Sequence, residues 1–199
     1  MAEPIARSPL AYIEATAAAA SAAAPVSLRE RPFRGLLDLR LDPANAALRQ
    51  AAEAAIGLAL PLEPNRATGS GERCVLWLGP DEFLVTTEPG GEGALAAALR
   101  RALGPHHAAV TDVTDGRTTL EIAGPRARDL IAKGCGLDLH PRVFGPGQCA
   151  QSGLAKTRML IHQRDATPSF DILVERSHAE YVFLWLQDAM QEFLGAAER

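Results

Sequence analysis

Hydrophobic and polar positions alternate in short blocks from Phe33 onward, and each block reads as an element. Leu36-Leu37-Asp38-Leu39-Arg40-Leu41 predicts a first strand. Asp42 then offers an N-cap and Pro43 a first helical position. Ala47, Leu48, Ala51, Ala55 and Ile56 recur at helical spacing, with Gly57 where such a helix would stop. Residues 61–71, rich in Pro, Gly and Asn, read as a loop.

Three strand–strand–helix units follow. Cys74 to Leu78 and Phe83 to Thr86 are short apolar strands about the turn Gly79-Pro80-Asp81-Glu82, followed by a helix from Gly93 to Leu103. Ala108 to Val113 and Thr118 to Ile122 flank Asp115-Gly116, a two-residue hairpin signal, and a helix runs from Pro125 to Lys133. Cys149 to Leu154, Met159 to His162 and Phe170 to Val174 are strands of the third unit. Its closing helix opens at Ser177-x-x-Glu180 and continues through Trp185 to Phe193. The rhythm predicts an α+β fold of repeated strand–strand–helix units, with antiparallel sheets covered by helices. Residues 31–199 form the domain, divisible into pseudo-repeated halves at 31–105 and 106–199. Residues 1–30 hold few large apolar side chains and are expected to be an amino-terminal arm, partly flexible or ordered by a partner.

Composition narrows the function. A net charge of −4 with mixed signs lacks the basic stripe that nucleic acid requires. No apolar run approaches the ~20 residues of a membrane span. The Ala15–Ala24 run is interrupted at its start by Glu14 and too weakly hydrophobic for a signal-peptide core. Cys74, Cys135 and Cys149 are odd in number and far apart, which speaks against a disulfide framework or zinc site and for a reducing compartment.

Candidate chemistry is sparse. Gly91-Glu92-Gly93-Ala94-Leu95-Ala96 matches Gly-x-Gly-x-x-Ala, with Asp112 at the dinucleotide-fingerprint spacing. Glu88 and Glu92 would repel a pyrophosphate, and the preceding strand has an antiparallel neighbour, so a loop leading into a helix is the better reading. His106, His107, His140, His162 and His178 do not converge on a metal-ligand spacing. Asp112, Asp115 and Glu121 are explained by a turn and by strand faces. No nucleophile elbow, His-Glu-x-x-His helix or Walker loop occurs. No catalytic, cofactor-binding or metal residue is therefore assigned. A partner interface is expected at Ser8, Pro9, Leu10, Arg117, Arg126, Arg128, Phe183 and Trp185. The arginines offer forks for an anion or a partner, and Tyr181 to Leu186 is apolar all round its helix.

A run of segments resembles the gamma subunit of heterotetrameric sarcosine oxidase. These are Ser8-Pro9-Leu10, Trp77 to Val85, Val113 to Leu120, Gly124 to Leu130, Lys133 to Pro141, Gln148 to Gln151 and Phe170 to Val174. The resemblance implies a fold similar to a domain of the folate-dependent aminomethyltransferases. It implies a small non-catalytic accessory subunit of a cytoplasmic complex that oxidatively demethylates sarcosine. The products are glycine, hydrogen peroxide and a one-carbon unit passed to tetrahydrofolate. FAD, FMN, NAD and zinc are expected in the alpha, beta and delta partner subunits and none in this chain. The alternative is a folate-binding or aminomethyl-transfer module, with Arg117 and Arg126 meeting folate carboxylates and Asp112 or Asp115 near the pterin.

Overall fold

The computed structural model describes residues 6–13 and 25–194. Among these residues ten strands build two five-stranded sheets in which every pairing is antiparallel. The first sheet holds β2 (Gly35–Leu41), β3 (Ala67–Ser70), β4 (Arg73–Gly79), β5 (Glu82–Thr87) and β6 (Ala108–Asp112), in the order β3-β4-β5-β2-β6. The second holds β1 (Ser27–Arg31), β7 (Arg117–Ala123), β8 (Cys149–Leu154), β9 (Thr157–Asp165) and β10 (Ser169–Glu175), in the order β1-β7-β10-β9-β8.

Strand alternation decides how these sheets stack, because successive side chains point to opposite faces. Leu37, Leu39 and Leu41 of β2 face helices α1 (Ala46–Ile56) and α2 (Glu92–Leu103), burying Ile56 and Leu99 against Val75 and Phe83. Phe170, Ile172 and Val174 of β10 face α3 (Ala127–Ala132) and α4 (Ala179–Leu194) in the same manner. The intervening residues turn inward. Leu36, Leu76 and Leu84 of one sheet meet Cys149, Leu160 and Leu173 of the other. The result is four layers, helix–sheet–sheet–helix, which matches the predicted α+β class of antiparallel sheets covered by helices.

Several boundaries move. Asp115-Gly116 closes no hairpin: a 3-10 turn, Thr114–Gly116, carries the chain from β6 in one sheet to β7 in the other. Leu36 N–H donates to Thr114 Oγ1 at 3.0 Å, fixing this crossing point. The division into halves at residue 105 fails for the same reason, since β6 completes the first sheet and β1 completes the second. Helix α1 is capped by Asn45, whose side chain accepts from Leu48 N–H at 3.2 Å, rather than by Asp42. Gly57 ends it at φ 80°, as expected. Residues 67–70 of the expected loop pair with β4.

The arm is revised most. Ser27–Arg31 is a strand on β7, and Leu10 is fully buried in the core beneath α3 and α4. The Ala15–Ala24 run lies outside the described residues. Helix α4 is not buried all round: Val182, Phe183, Leu186 and Met190 point inward, whereas Tyr181 and Leu184 are 39% and 44% exposed. Among the described residues no helix is long and apolar enough to cross a membrane.

Candidate interaction surface

The densest group of charges sits between the two sheets. Asp171, on the inward face of β10, is wholly buried, and Arg34 is 4% exposed. Arg34 Nη1 donates to Asp171 Oδ2 at 2.6 Å, and its Nη2 reaches Gly71 O, Glu72 O and Thr86 Oγ1, each at 3.0 Å. Arg31 Nη1 donates to the same carboxylate at 3.0 Å, and Arg164 Nε lies 3.4 Å from it. Glu121 takes Arg164 at 2.7 Å and Arg29 at 2.7 Å. Burying ions requires such mutual compensation; here every charge faces an opposite one, although Arg34 Nε, Glu121 Oε2 and Arg164 Nε make no hydrogen bond. The network ties the β1–β2 connection and the β3–β4 turn of one sheet to the centre of the other; it is structural. Sequence reasoning missed it, although an aspartate within Phe170 to Val174 is the signal of a buried acid needing partners.

His162 faces the same layer from β9. Burial, opposed by Asp171 and assisted by Arg34, Arg164 and Arg31, pushes its pKa down to about 4, so the imidazole is neutral. Cys149 donates its thiol to Arg66 O at 3.2 Å, and burial pushes its pKa up to about 12. A thiol held there is a poor nucleophile. Among the described residues no three His, Cys, Asp or Glu side chains gather to hold a metal ion.

The sequence-predicted interface residues scatter. Ser8 Oγ donates to buried Glu30 and accepts from Leu10 N–H at 3.0 Å, while Arg7 O accepts from Arg176. Leu10 is therefore consumed by the chain's own core, while Ser8 and Pro9 are half-buried and it is Arg7 and Tyr12 of the docked segment that stand exposed. Phe183 is likewise buried and cannot meet a partner; Trp185 is half-buried over Gly134. Arg128 donates to Phe144 O at 3.1 Å and Gln163 Oε1 at 2.9 Å and lies 5.3 Å over the Phe170 ring. It pins the 134–147 loop. Arg126 is exposed, pairs with Asp129 at 2.9 Å and covers Phe193. Arg117 begins β7 and lines a cavity of about 140 Å³ with Gln151, Arg158 and Glu175. Arg117 and Arg126 thus stand at opposite ends of β7 and do not form one site.

Gly91 and Gly93 lead into α2 from β5, which lies between antiparallel β4 and β2. A dinucleotide fold needs a parallel crossover at that point, and none exists here. The surface that sequence reasoning overlooked is an apolar groove at the foot of the first sheet. Cavities of about 760 and 350 Å³ share Pro43, Ala44 and Pro80, and Leu62 beside them is 55% exposed. Scattered prolines in loops carry no periodic signal by which it could have been found.

Known proteins resemble this chain in sequence and in architecture. The profile described as "Sarcosine oxidase, gamma subunit family" matches residues 40–192. The sarcosine oxidase subunit gamma of Corynebacterium sp. strain P-1 is 39% identical over 188 residues, covering 94% of this chain and 91% of that protein. That of an Arthrobacter species is 38% identical over the same shares. A chain of the heterotetrameric sarcosine oxidase from Corynebacterium sp. U-96, solved with pyrrole 2-carboxylate, superimposes with a TM-score of 0.86 at 38% identity. The match covers 94% of this chain and 96% of that one. The glycine cleavage system aminomethyltransferase T from Bartonella henselae shares the fold at a TM-score of 0.62 and 17% identity, over 82% of this chain and 45% of its own. With the sequence, the length and the double antiparallel sheet in agreement, this chain belongs to the sarcosine oxidase gamma subunit family.

Proposed function

We propose that this chain is a non-catalytic accessory subunit of a cytoplasmic heterotetrameric sarcosine oxidase. It assembles with alpha, beta and delta subunits that hold FAD, FMN, NAD and zinc. The complex oxidatively demethylates sarcosine to glycine and hydrogen peroxide and passes the one-carbon unit to tetrahydrofolate. The observation that carries the reading is the likeness, over 94% of the chain, to a chain of a solved heterotetrameric sarcosine oxidase. The disposition of charge supports the non-catalytic role. The chain's largest cluster of acids and arginines is spent on mutual pairs between the sheets.

The fold shared with an aminomethyltransferase favours a second reading, a folate or aminomethyl-transfer module. Fold alone does not transfer a site, and Arg117 and Arg126 lie too far apart to grip one glutamate tail.

Co-expression with the neighbouring subunits tests both. The purified chain alone is expected to be colourless and inactive toward sarcosine, and the co-expressed complex to carry flavin. Flavin bound stoichiometrically to the isolated chain would overturn the accessory role. Titration of the chain with tetrahydrofolate is expected to give no heat; micromolar binding abolished by Arg117→Ala would establish the second reading.

A further inference from the structure

We infer that Arg117 and Arg158 form a carboxylate socket that receives an acidic side chain from a neighbouring subunit. The inference rests on the subunit reading above and adds to it a place and a chemistry.

Strand register puts the two arginines together. Glu175 pairs with Arg117 across β10 and β7, and Leu173 pairs with Leu160 across β10 and β9. Arg158 lies two residues before Leu160, as Glu175 lies two residues after Leu173. Alternation then turns Arg117, Glu175 and Arg158 to the same inward face as Leu160 and Leu173, at the open end of the inter-sheet layer. Gln151 Nε2 closes one side by donating to Leu78 O of the first sheet at 2.9 Å.

The charges there are unbalanced. Ion pairs engage Arg31, Arg34 and Arg164 deeper in the same layer and Arg29 at its exposed edge, whereas among the described residues none engages Arg117 or Arg158. Glu175 also lines the cavity, its carboxylate 3.5 Å from His178 Nδ1, and one acid leaves two guanidinium groups incompletely balanced. Two guanidinium forks with free donors therefore converge on a small cavity, and such forks match a carboxylate.

Size identifies the ligand. The cavity of about 140 Å³ is mostly polar, with Leu160 and Leu173 at its inner end. It suits a carboxylate on a short methylene stem and falls below the roughly 300–1,000 Å³ of sites for drug-sized molecules. An aspartate or glutamate of a docked chain fits.

The test uses the co-expressed complex. Native mass spectrometry across a salt series is expected to show Arg117→Gln/Arg158→Gln complexes releasing this chain with at least tenfold weaker affinity than wild type. Arg101→Gln/Arg142→Gln, which removes the same charge from exposed sites elsewhere, is expected to leave release unchanged. Equal release by the two double variants would overturn the socket. Wild type that fails to co-purify would overturn the subunit reading itself, a distinct result. Phenylglyoxal labelling of wild type needs no variant: Arg117 and Arg158 are expected to react in the isolated chain and to be protected in the complex. Protection of the isolated chain by millimolar citrate, with none in the complex, would replace the partner by a free carboxylate.

Discussion

Arg34 and Asp171, 137 residues apart in sequence, meet at 2.6 Å between the two sheets. Arg34 lies in the β1–β2 connection and grips the β3–β4 turn of the first sheet, whereas Asp171 belongs to the centre of the second, so their contact joins layers that also share seven buried apolar residues. Removing one partner leaves charges stranded in a dry layer. Asp171→Asn is expected to destabilise the chain by about 3–5 kcal/mol, read as a lower urea midpoint.

Leu10 supplies a second handle. It is fully buried beside Val26, Leu120 and Phe183 although it precedes the undescribed 14–24 segment. Leu10→Ala is expected to cost about 2–5 kcal/mol, as other buried leucine truncations do. A melting temperature unchanged in the variant would show that the segment contributes nothing to the domain.

Much of this was legible in the sequence and some was not, for identifiable reasons. Strands such as β4 and β5, with a Gly-Pro-Asp-Glu turn between them, pair locally, so turn chemistry and alternation agree. Asp115-Gly116 gave the same local signal and it misled. Thr118 to Ala123 finds its partners in β1 and β10, far away in the chain, and that pairing overrides the turn. Ser27–Arg31 alternates Leu28 and Glu30 with Arg29 and Arg31, a period of two written in charge, which reads as polar arm until acids appear opposite. Leu10 and Phe183 are apolar and read from sequence as partner-facing; only the packing shows that the chain itself covers them.

Gly134 sits under Trp185. A Cβ there would lie 2.5 Å from the indole Cη2 and 3.1 Å from Ala155 N, so the ring or the backbone would have to shift. Gly134→Ala is expected to destabilise by about 1–3 kcal/mol through overpacking and to shift tryptophan emission. Trp185→Ala in the same chain is expected to relieve the penalty, giving a coupling energy in a double-mutant cycle.

His162 should make stability depend on pH. In the unfolded chain the imidazole binds a proton below about 6.5, whereas in the fold it resists until about 4. Its contribution is therefore fully present above pH 6.5 and is lost as pH falls toward 4. The loss amounts to about 3 kcal/mol from this group alone. Denaturant titrations at pH 7 and pH 4.5 are expected to show a smaller difference for His162→Leu than for wild type.

The exchange of outer strands has a consequence for biosynthesis. Ser27 is made 96 residues before Ala123, the partner whose carbonyl its hydroxyl reaches. Until β7 leaves the ribosome, β1 has no neighbour, and the first sheet stays without its rim until β6 emerges just ahead. The first layer, whose strands and helices all lie within residues 35–112, can therefore mature during synthesis, whereas the second, which needs β1 beside β7 and β10, closes only near the end.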